Sequence, residues 1–335
     1  MPTPFLYRRL VTNVPGNTGT LSEPNGTPEP RFALQATVYW MRALTILANH
    51  QGIDWFSMEP FYADVQRANL SEPAVNTVFE QLLMSLHHLA ALHAMVRAGS
   101  DHDLARVAVM TWYYGSYCAA TAMVAAQDGS LQDDHTATAN QWDRQIASSG
   151  LIPPPFNLRL TTMLKKDAEA EITEMRNGSK FMVNNRPSHV NDAIGACASY
   201  LSGTRTYRER QITEGLKVRE LKKLNLLNFR TPEAKQLRDS RLRGKSLGFL
   251  HQAFRYRGKA NYRDALFLTY EVQVGAILDG FIADTASVLK AFLTAAGAFC
   301  SRRVTSADWN AFIDDLNEHL HLAVMPRDVW NRYGN

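Results

Sequence analysis

Residues 71–97 read SEPAVNTVFEQLLMSLHHLAALHAMVR. Ser71 is a typical N-cap residue, Pro73 suits the first turn of a helix, and apolar residues then recur at three- and four-residue spacing. Gly99 stands just beyond the segment, at a place where helices commonly end. This stretch therefore predicts one long amphipathic helix.

The same helical spacing recurs on both sides of this segment. Further helices are predicted at residues 31–48, 101–127, 134–147, 156–176 and 190–201, with a long helix from about residue 261 and a last one opening at residues 305–308. No stretch alternates apolar and polar residues for long enough to predict a strand. The predicted fold class is therefore all-α, a multi-helix bundle.

Residues 1–30 differ in composition from the rest of the chain. They hold six of its 14 prolines, and proline removes backbone hydrogen-bond donors. We therefore predict a flexible, extended N-terminal arm over residues 1–30. A helical bundle is predicted over residues 31–180 and a basic helical region over residues 181–335.

The formal net charge of the 335 residues is +4 and conceals an uneven distribution. Residues 205–263 hold 17 Lys and Arg against five Asp and Glu, a local excess of +12, and the rest of the chain has a balance of −8. An asymmetry of this kind favours a nucleic acid or an acidic protein as the partner.

The densest basic stretch is RYRGKANYRD, residues 255–264. Its candidate nucleic-acid-binding residues are Arg255, Arg257, Lys259, Tyr262 and Arg263. The cations would contact phosphates, and a tyrosine would stack on an unpaired base. Solvated helices that face an acidic protein would show the same pattern, so both partners stay open.

Several common chemistries have no motif in this chain. It contains no phosphate-binding loop, no dinucleotide fingerprint and no hydrolase nucleophile elbow. His87, His88 and His93 are one, five and six residues apart, whereas two histidines on a helix share an ion at three- or four-residue spacing. We therefore expect no metal site and no cofactor.

The longest apolar run, residues 276–300, is interrupted by Asp279, Asp284 and Lys290. A membrane-spanning helix needs about 20 largely uncharged residues. The chain has three widely spaced cysteines, an odd number that suits a reducing compartment. We therefore expect a cytoplasmic protein with no membrane partner.

Arg97 and His102 are the candidate catalytic residues, and they flank the predicted stop at Gly99. An Arg can stabilise the charge of a phosphorane-like transition state, and a His exchanges protons near neutral pH. The pair would suit metal-independent cleavage of RNA, in which the 2′-hydroxyl is the nucleophile. A solvated Arg at one helix end and a His at the next helix start would show the same spacing without any catalytic role.

Residues 112–122, WYYGSYCAATA, look like the tyrosine-pair helix of the HEPN superfamily. Residues 129–137, with Gly129 and His135, resemble the glycine turn and histidine-bearing helix of that family, and residues 150–164 are similar to its next connection and helix. The resemblance covers roughly residues 75–175. The family usually has an aromatic residue and a His after the tyrosines, where this chain has Cys118.

The resemblance implies a helical bundle, often dimeric, and many HEPN proteins are RNases of toxin or antiviral systems. Other HEPN groups are binding or scaffold modules. Two functions therefore stay open. The first is an RNA-binding HEPN-like protein that acts as an endoribonuclease of a toxin or antiviral defence system. The second is a non-enzymatic interaction or scaffold subunit whose basic face binds an acidic protein partner or nucleic acid. Both functions favour a homo-oligomer or a protein complex.

Overall fold

The computed structural model describes residues 30–132, 134–261 and 274–333. Its helices are α1 (Pro30–Gln51), α2 (Trp55–Phe61), α3 (Glu72–Ala98), α4 (Asp101–Asp128), α5 (His135–Trp142), α6 (Lys165–Arg176), α7 (Val190–Leu216), α8 (Pro232–Arg243), α9 (Phe249–Asn261), α10 (Val274–Leu278), α11 (Phe281–Arg303) and α12 (Ser306–His319). One isolated antiparallel bridge joins Leu160 to Leu247, and these residues form no strand. The all-α prediction is confirmed.

Helices α3 and α4 form a hairpin against which much of the chain packs. Gly99 connects them with a left-handed backbone at φ +68°, a conformation that glycine adopts without steric cost. Helix α11 lies along both members of the hairpin, and α9 packs on α4. Helix α1 pairs with α7 and also contacts α11. The hairpin is therefore covered by helices from the C-terminal half of the chain.

Trp40 on α1 lies where four helices meet. Its ring stacks on Tyr200 of α7 with centroids 4.2 Å apart. Trp112 of α4 and Tyr256 of α9 approach it edge-on at 5.8 and 5.0 Å. All four rings are buried. Because the main core draws residues from both sides of residue 180, the two predicted regions share one hydrophobic interior.

Most local helix predictions are confirmed, and one is wrong. Residues 156–164 are not helical, and α6 begins only at Lys165. The backbone of Leu160 instead exchanges two hydrogen bonds with Leu247, at 2.9 and 3.0 Å. Helix α7 continues to Leu216, well beyond the predicted end at residue 201.

Two predictions fall on residues outside the described part of the chain. The arm is one, since only Pro30 of residues 1–30 is described. The long helix from about residue 261 is the other, because residues 262–273 are not described. Beyond them the short helix α10 ends at Leu278. Gly280 has a left-handed backbone, with φ at +73°, and the long helix α11 starts at Phe281. No helix in the described ranges is long and apolar enough to cross a membrane.

A buried polar network fixes the end of α5 to the start of α9. The carboxylate of Asp143 accepts two hydrogen bonds from Arg159, at 3.1 and 2.8 Å. Gly248 lies so close that a Cβ added there would stand 2.2 Å from Asp143 Oδ1. The backbone N–H of Gly248 donates to His251 Nδ1 at 3.0 Å, and His251 Nε2 contacts Asn140 Oδ1 at 3.0 Å. His251 is therefore held as a neutral imidazole.

Burial lowers the pKa of His251 from 6.5 to about 4. Protonation therefore favours the unfolded chain, so the stability that neutral His251 contributes is present above about pH 6.5 and is lost as the pH falls toward 4. We expect His251→Gln to reduce the pH dependence of the free energy of unfolding in this range by up to about 1.4 kcal/mol per pH unit. Urea unfolding at several pH values measures this slope.

The matched control is His319→Gln, which changes an exposed histidine on α12. It should leave the slope as in the wild type. A slope that stays the same in His251→Gln would show that His251 does not carry this linkage.

Candidate functional site

Three helices bring aromatic and basic side chains together at one place on the bundle. We call this group the tyrosine–histidine cluster, and its members are Tyr113, Tyr114 and Tyr117 on α4, His135 on α5, and Phe254 and Arg257 on α9. Tyr113 is buried and the other members are half-buried. The cluster therefore lies at the edge of the core, where solvent reaches part of it.

Helix geometry accounts for the way each element presents these side chains. Tyr113 and Tyr117 are four residues apart on α4 and share a face, and their rings stack with centroids 6.2 Å apart. Gly129, at φ +75°, ends α4 and turns the chain. Asp134 then caps α5 by accepting hydrogen bonds from the backbone N–H groups of residues 136 and 137. His135 is thus held as the first residue of α5.

His135 bonds to both sides of the cluster. Its Nδ1 lies 2.9 Å from the Tyr113 hydroxyl, and its Nε2 lies 3.3 Å from Arg257 Nη1. Because a guanidinium can only donate hydrogen bonds, Nε2 is the acceptor. We therefore assign the proton to Nδ1, which donates it to the Tyr113 oxygen.

Aromatic rings surround the guanidinium of Arg257. Its central carbon lies 4.9 Å from the Phe254 ring centroid, 5.1 Å from that of Tyr113 and 6.0 Å from that of Tyr114. Arg257 Nη1 also donates to the Tyr114 hydroxyl at 3.3 Å. Among the described residues, no carboxylate forms a salt bridge with Arg257, and its buried Nε has no hydrogen-bond partner.

The electrostatics of the cluster favour a neutral imidazole beside a fixed cation. Burial and the positive charge of Arg257 lower the pKa of His135, and Asp134 acts weakly in the opposite direction. Burial raises the pKa of Tyr113, so its hydroxyl stays protonated. A neutral imidazole can take up a proton, and a guanidinium without a carboxylate partner can bind an anion.

The two predicted catalytic residues lie elsewhere. Arg97 and His102 are exposed on either side of the turn between α3 and α4. No hydrogen bond or salt bridge of the described residues joins them. His102 is also about 16 Å from Tyr113 along α4, at the usual rise per helical residue. Their catalytic role stays a prediction.

The predicted nucleic-acid-binding residues do not form one described surface. The guanidinium of Arg255 lies 5.0 Å from the Tyr207 ring centroid and donates to Thr204 Oγ1 at 3.0 Å. Arg257 belongs to the tyrosine–histidine cluster. Lys259 lies on α9, but its side chain is outside the described part of the chain, as are Tyr262 and Arg263.

Of the cluster, the sequence predicts only Arg257 as a binding residue, and it does not predict the assembly. The tyrosines and His135 belong to the segments that resemble HEPN proteins, and Arg257 belongs to the basic stretch at residues 255–264. Their meeting is a tertiary contact across 122 residues of sequence. The one pattern in the sequence that points to this contact is the spacing of Phe254 and Arg257, which places an aromatic ring and a cation on the same face of α9.

A surface cleft of about 630 Å³ lies away from the cluster, between the end of α1, the start of α2, α11 and the C-terminal segment. Its acids, Asp54 and Asp328, accept hydrogen bonds from the backbone N–H groups of Ser57 and Met325. These carboxylates therefore have structural roles. In the described residues no three His, Cys, Asp or Glu side chains lie together in a way that could hold a metal ion.

Comparisons with protein-family models, with curated proteins and with solved structures found no match to this chain.

We expect Arg257→Gln to raise the pKa of His135 toward its ordinary value, because the substitution removes the neighbouring positive charge. NMR titration of the His135 ring proton measures this change. Arg255→Gln is the matched control, since its guanidinium lies against α7 instead of His135. An equal response to the two substitutions would contradict the proposed coupling.

Proposed function

We propose that the chain is an RNA-binding protein of the HEPN type and that its tyrosine–histidine cluster binds a phosphodiester of the RNA and cleaves it without a metal ion. In this proposal the protein is a cytoplasmic endoribonuclease of a toxin or antiviral defence system. The observation that carries the proposal is that Arg257 has no carboxylate partner among the described residues. Its half-buried guanidinium is held by aromatic rings and His135, with no described carboxylate to neutralise it.

An RNA phosphate supplies what this guanidinium lacks. Phosphate oxygens accept charge-assisted hydrogen bonds from Arg, and these are stronger than the contact between Arg257 and a neutral imidazole. The rings of Tyr114 and Tyr117 are half-buried and could stack on a base beside the phosphate. Recognition of this kind suits a single strand, whose bases are free to leave their own stack.

Phosphate binding would also prepare His135 for proton transfer. A phosphate oxygen that takes the hydrogen bond of Arg257 leaves His135 Nε2 free to accept a proton. In the reaction, Nε2 takes the proton of the 2′-hydroxyl, whose oxygen attacks phosphorus, and the bond to the 5′-oxygen breaks. A proton donor, either solvent or a second side chain, protonates that 5′-oxygen. The products are a 2′,3′-cyclic phosphate and a 5′-hydroxyl, and Tyr113 holds Nδ1 throughout.

Arg97 and His102 remain the second candidate centre for the same reaction. Both side chains are exposed and reach solvent from one turn. His102 would act as the acid or base, and Arg97 would stabilise the phosphate charge. The two centres are separate in the fold, so substitutions distinguish them.

A non-enzymatic scaffold role is the alternative function. It is favoured by the engagement of Arg255 and Arg257 inside the chain, because side chains that hold two helices against α9 have a structural role already. In that proposal, the exposed cations on α7 and α8 bind an acidic protein partner or nucleic acid within a homo-oligomer or protein complex.

We expect wild-type protein to cleave a broad RNA pool in the presence of a chelator, and His135→Gln to lower the rate by about 100-fold or more, the usual effect of removing a general base. Denaturing gels and end-group analysis for the cyclic phosphate measure cleavage. His102→Ala and Arg97→Ala test the second centre, and His319→Ala is the control. An inactive wild type would exclude endoribonuclease activity. If His102→Ala alone lost cleavage, the catalytic centre would be Arg97 and His102 at the turn between α3 and α4.

RNA binding across a salt series separates the two functions. We expect affinity to fall steeply with salt, and Arg257→Gln to lower the slope of log affinity against log salt by about 0.7, the value for one phosphate contact on a single strand. Fluorescence anisotropy with a labelled RNA measures this slope. A defined oligomer with little salt-dependent RNA affinity would support the scaffold role instead.

A further inference from the structure

Three large apolar side chains project into solvent from one short segment, residues 217–230, which we call the tip. Val218 is 72% exposed, Leu224 is 55% exposed and Leu227 is 92% exposed. Such exposure is common for a single apolar residue on a protein surface, but three within ten residues point to an interaction site.

The tip has a defined backbone that continues from α7. A single π-helical turn, Lys217–Leu221, continues α7, and the buried Leu221 anchors it. The backbone N–H of Leu226 donates to the carbonyl of Leu221 at 2.9 Å. From residue 222 to residue 230 no side chain is buried. The apolar side chains are therefore exposed by a defined backbone.

Basic residues are interspersed with these apolar side chains along the tip. The tip contains five cations, Lys217, Arg219, Lys222, Lys223 and Arg230. Lys217 pairs with Glu214 at 2.6 Å, and Glu220, the one acid of the tip, pairs with Arg241 at 2.9 Å. The other four cations have no salt bridge to a described residue. The tip therefore combines exposed apolar groups with uncompensated positive charge.

We propose that the tip docks on the surface of an anionic lipid bilayer. Val218, Leu224 and Leu227 would enter the boundary between headgroups and acyl chains, and the cations would remain among the anionic headgroups. An RNA would accept the cations but leave the apolar side chains in water. An acidic protein would need a groove shaped to three separate side chains, whereas lipids rearrange around them. The expectation of no membrane partner rests on the lack of a spanning segment, whereas a contact with the bilayer surface needs no spanning helix, so the proposal replaces that expectation. The contact is independent of the tyrosine–histidine cluster.

Vesicle flotation tests the proposal with the full chain. Wild-type protein should bind vesicles of phosphatidylcholine with roughly 30% phosphatidylserine and should not bind phosphatidylcholine alone. The double variant Leu224→Ser, Leu227→Ser should lower the partition coefficient at least about tenfold, because it removes apolar burial in the bilayer. Lys222→Glu, Lys223→Glu should lower it by a similar factor. Leu131→Ser, at another apolar residue that is 57% exposed, should have no effect.

Insertion of the tip has its own readout. Cys118, Cys197 and Cys300 are buried, so a thiol-reactive polarity-sensitive dye should label Leu227→Cys selectively. The dye should shift its emission to the blue when vesicles with phosphatidylserine are added, and the same dye on Leu131→Cys should not.

Either of two results would overturn the proposal. One is no binding to the anionic vesicles. The other is binding that survives in the Leu224→Ser, Leu227→Ser variant, since that would be charge attraction alone. If the second result is found and the charge variant also loses RNA binding, the tip is a nucleic-acid surface instead. Thermal unfolding of each variant shows whether it folds as the wild type does.

Discussion

The packing of Trp40 is the constraint on which the rest of the structure depends. Its ring touches aromatic rings from α4, α7 and α9, so it fixes the distances between four helices at once. Tyr256 is fully buried beside it and donates a hydrogen bond to the carbonyl of Thr37 at 3.0 Å. Because Tyr256 is fixed in the core, its two neighbours on α9 must diverge. Arg255 turns toward α7 and Arg257 toward α4, so one buried ring determines both positions.

Because Arg255 and Arg257 point to different helices, the basic stretch does not form the continuous surface that its sequence suggests. In the sequence, residues 255–263 suggest one continuous surface for a nucleic-acid strand. In the structure, Arg255 binds an aromatic and hydroxyl pair on α7, while Arg257 binds tyrosines and His135. The exposed cations of the basic region lie on the second half of α7, on the tip, on α8 and at Lys245 just after it. Charge counted along the chain therefore overestimates the charge available to a partner at α9, and it does not reveal the apolar character of the tip.

The sequence predicts the parts of this structure that depend on local interactions. The positions of α3 and α4, the stop at Gly99 and the start of α12 within residues 305–308 follow from glycine and helical spacing, and all are confirmed. The helix prediction for residues 156–164 is wrong because the backbone of Leu160 pairs with Leu247, far along the chain. In addition, Arg159 donates hydrogen bonds to the buried carboxylate of Asp143. The sequence does not predict the full tyrosine–histidine cluster for the same reason. Its tyrosines and histidine are recognisable as a pattern, but the position of Arg257 beside them results from tertiary packing.

The place of α1 in the core has a consequence for synthesis of the chain. Helix α1 is translated before all its partners in the core, and Trp40 packs on rings that are as far as 216 residues later in the sequence. Its apolar face also packs on α11, which is made later still. While the ribosome adds those segments, the apolar face of α1 stays uncovered. The core therefore closes only after α11 has been synthesised, and before that point the apolar face of α1 is exposed to aggregation and to chaperones.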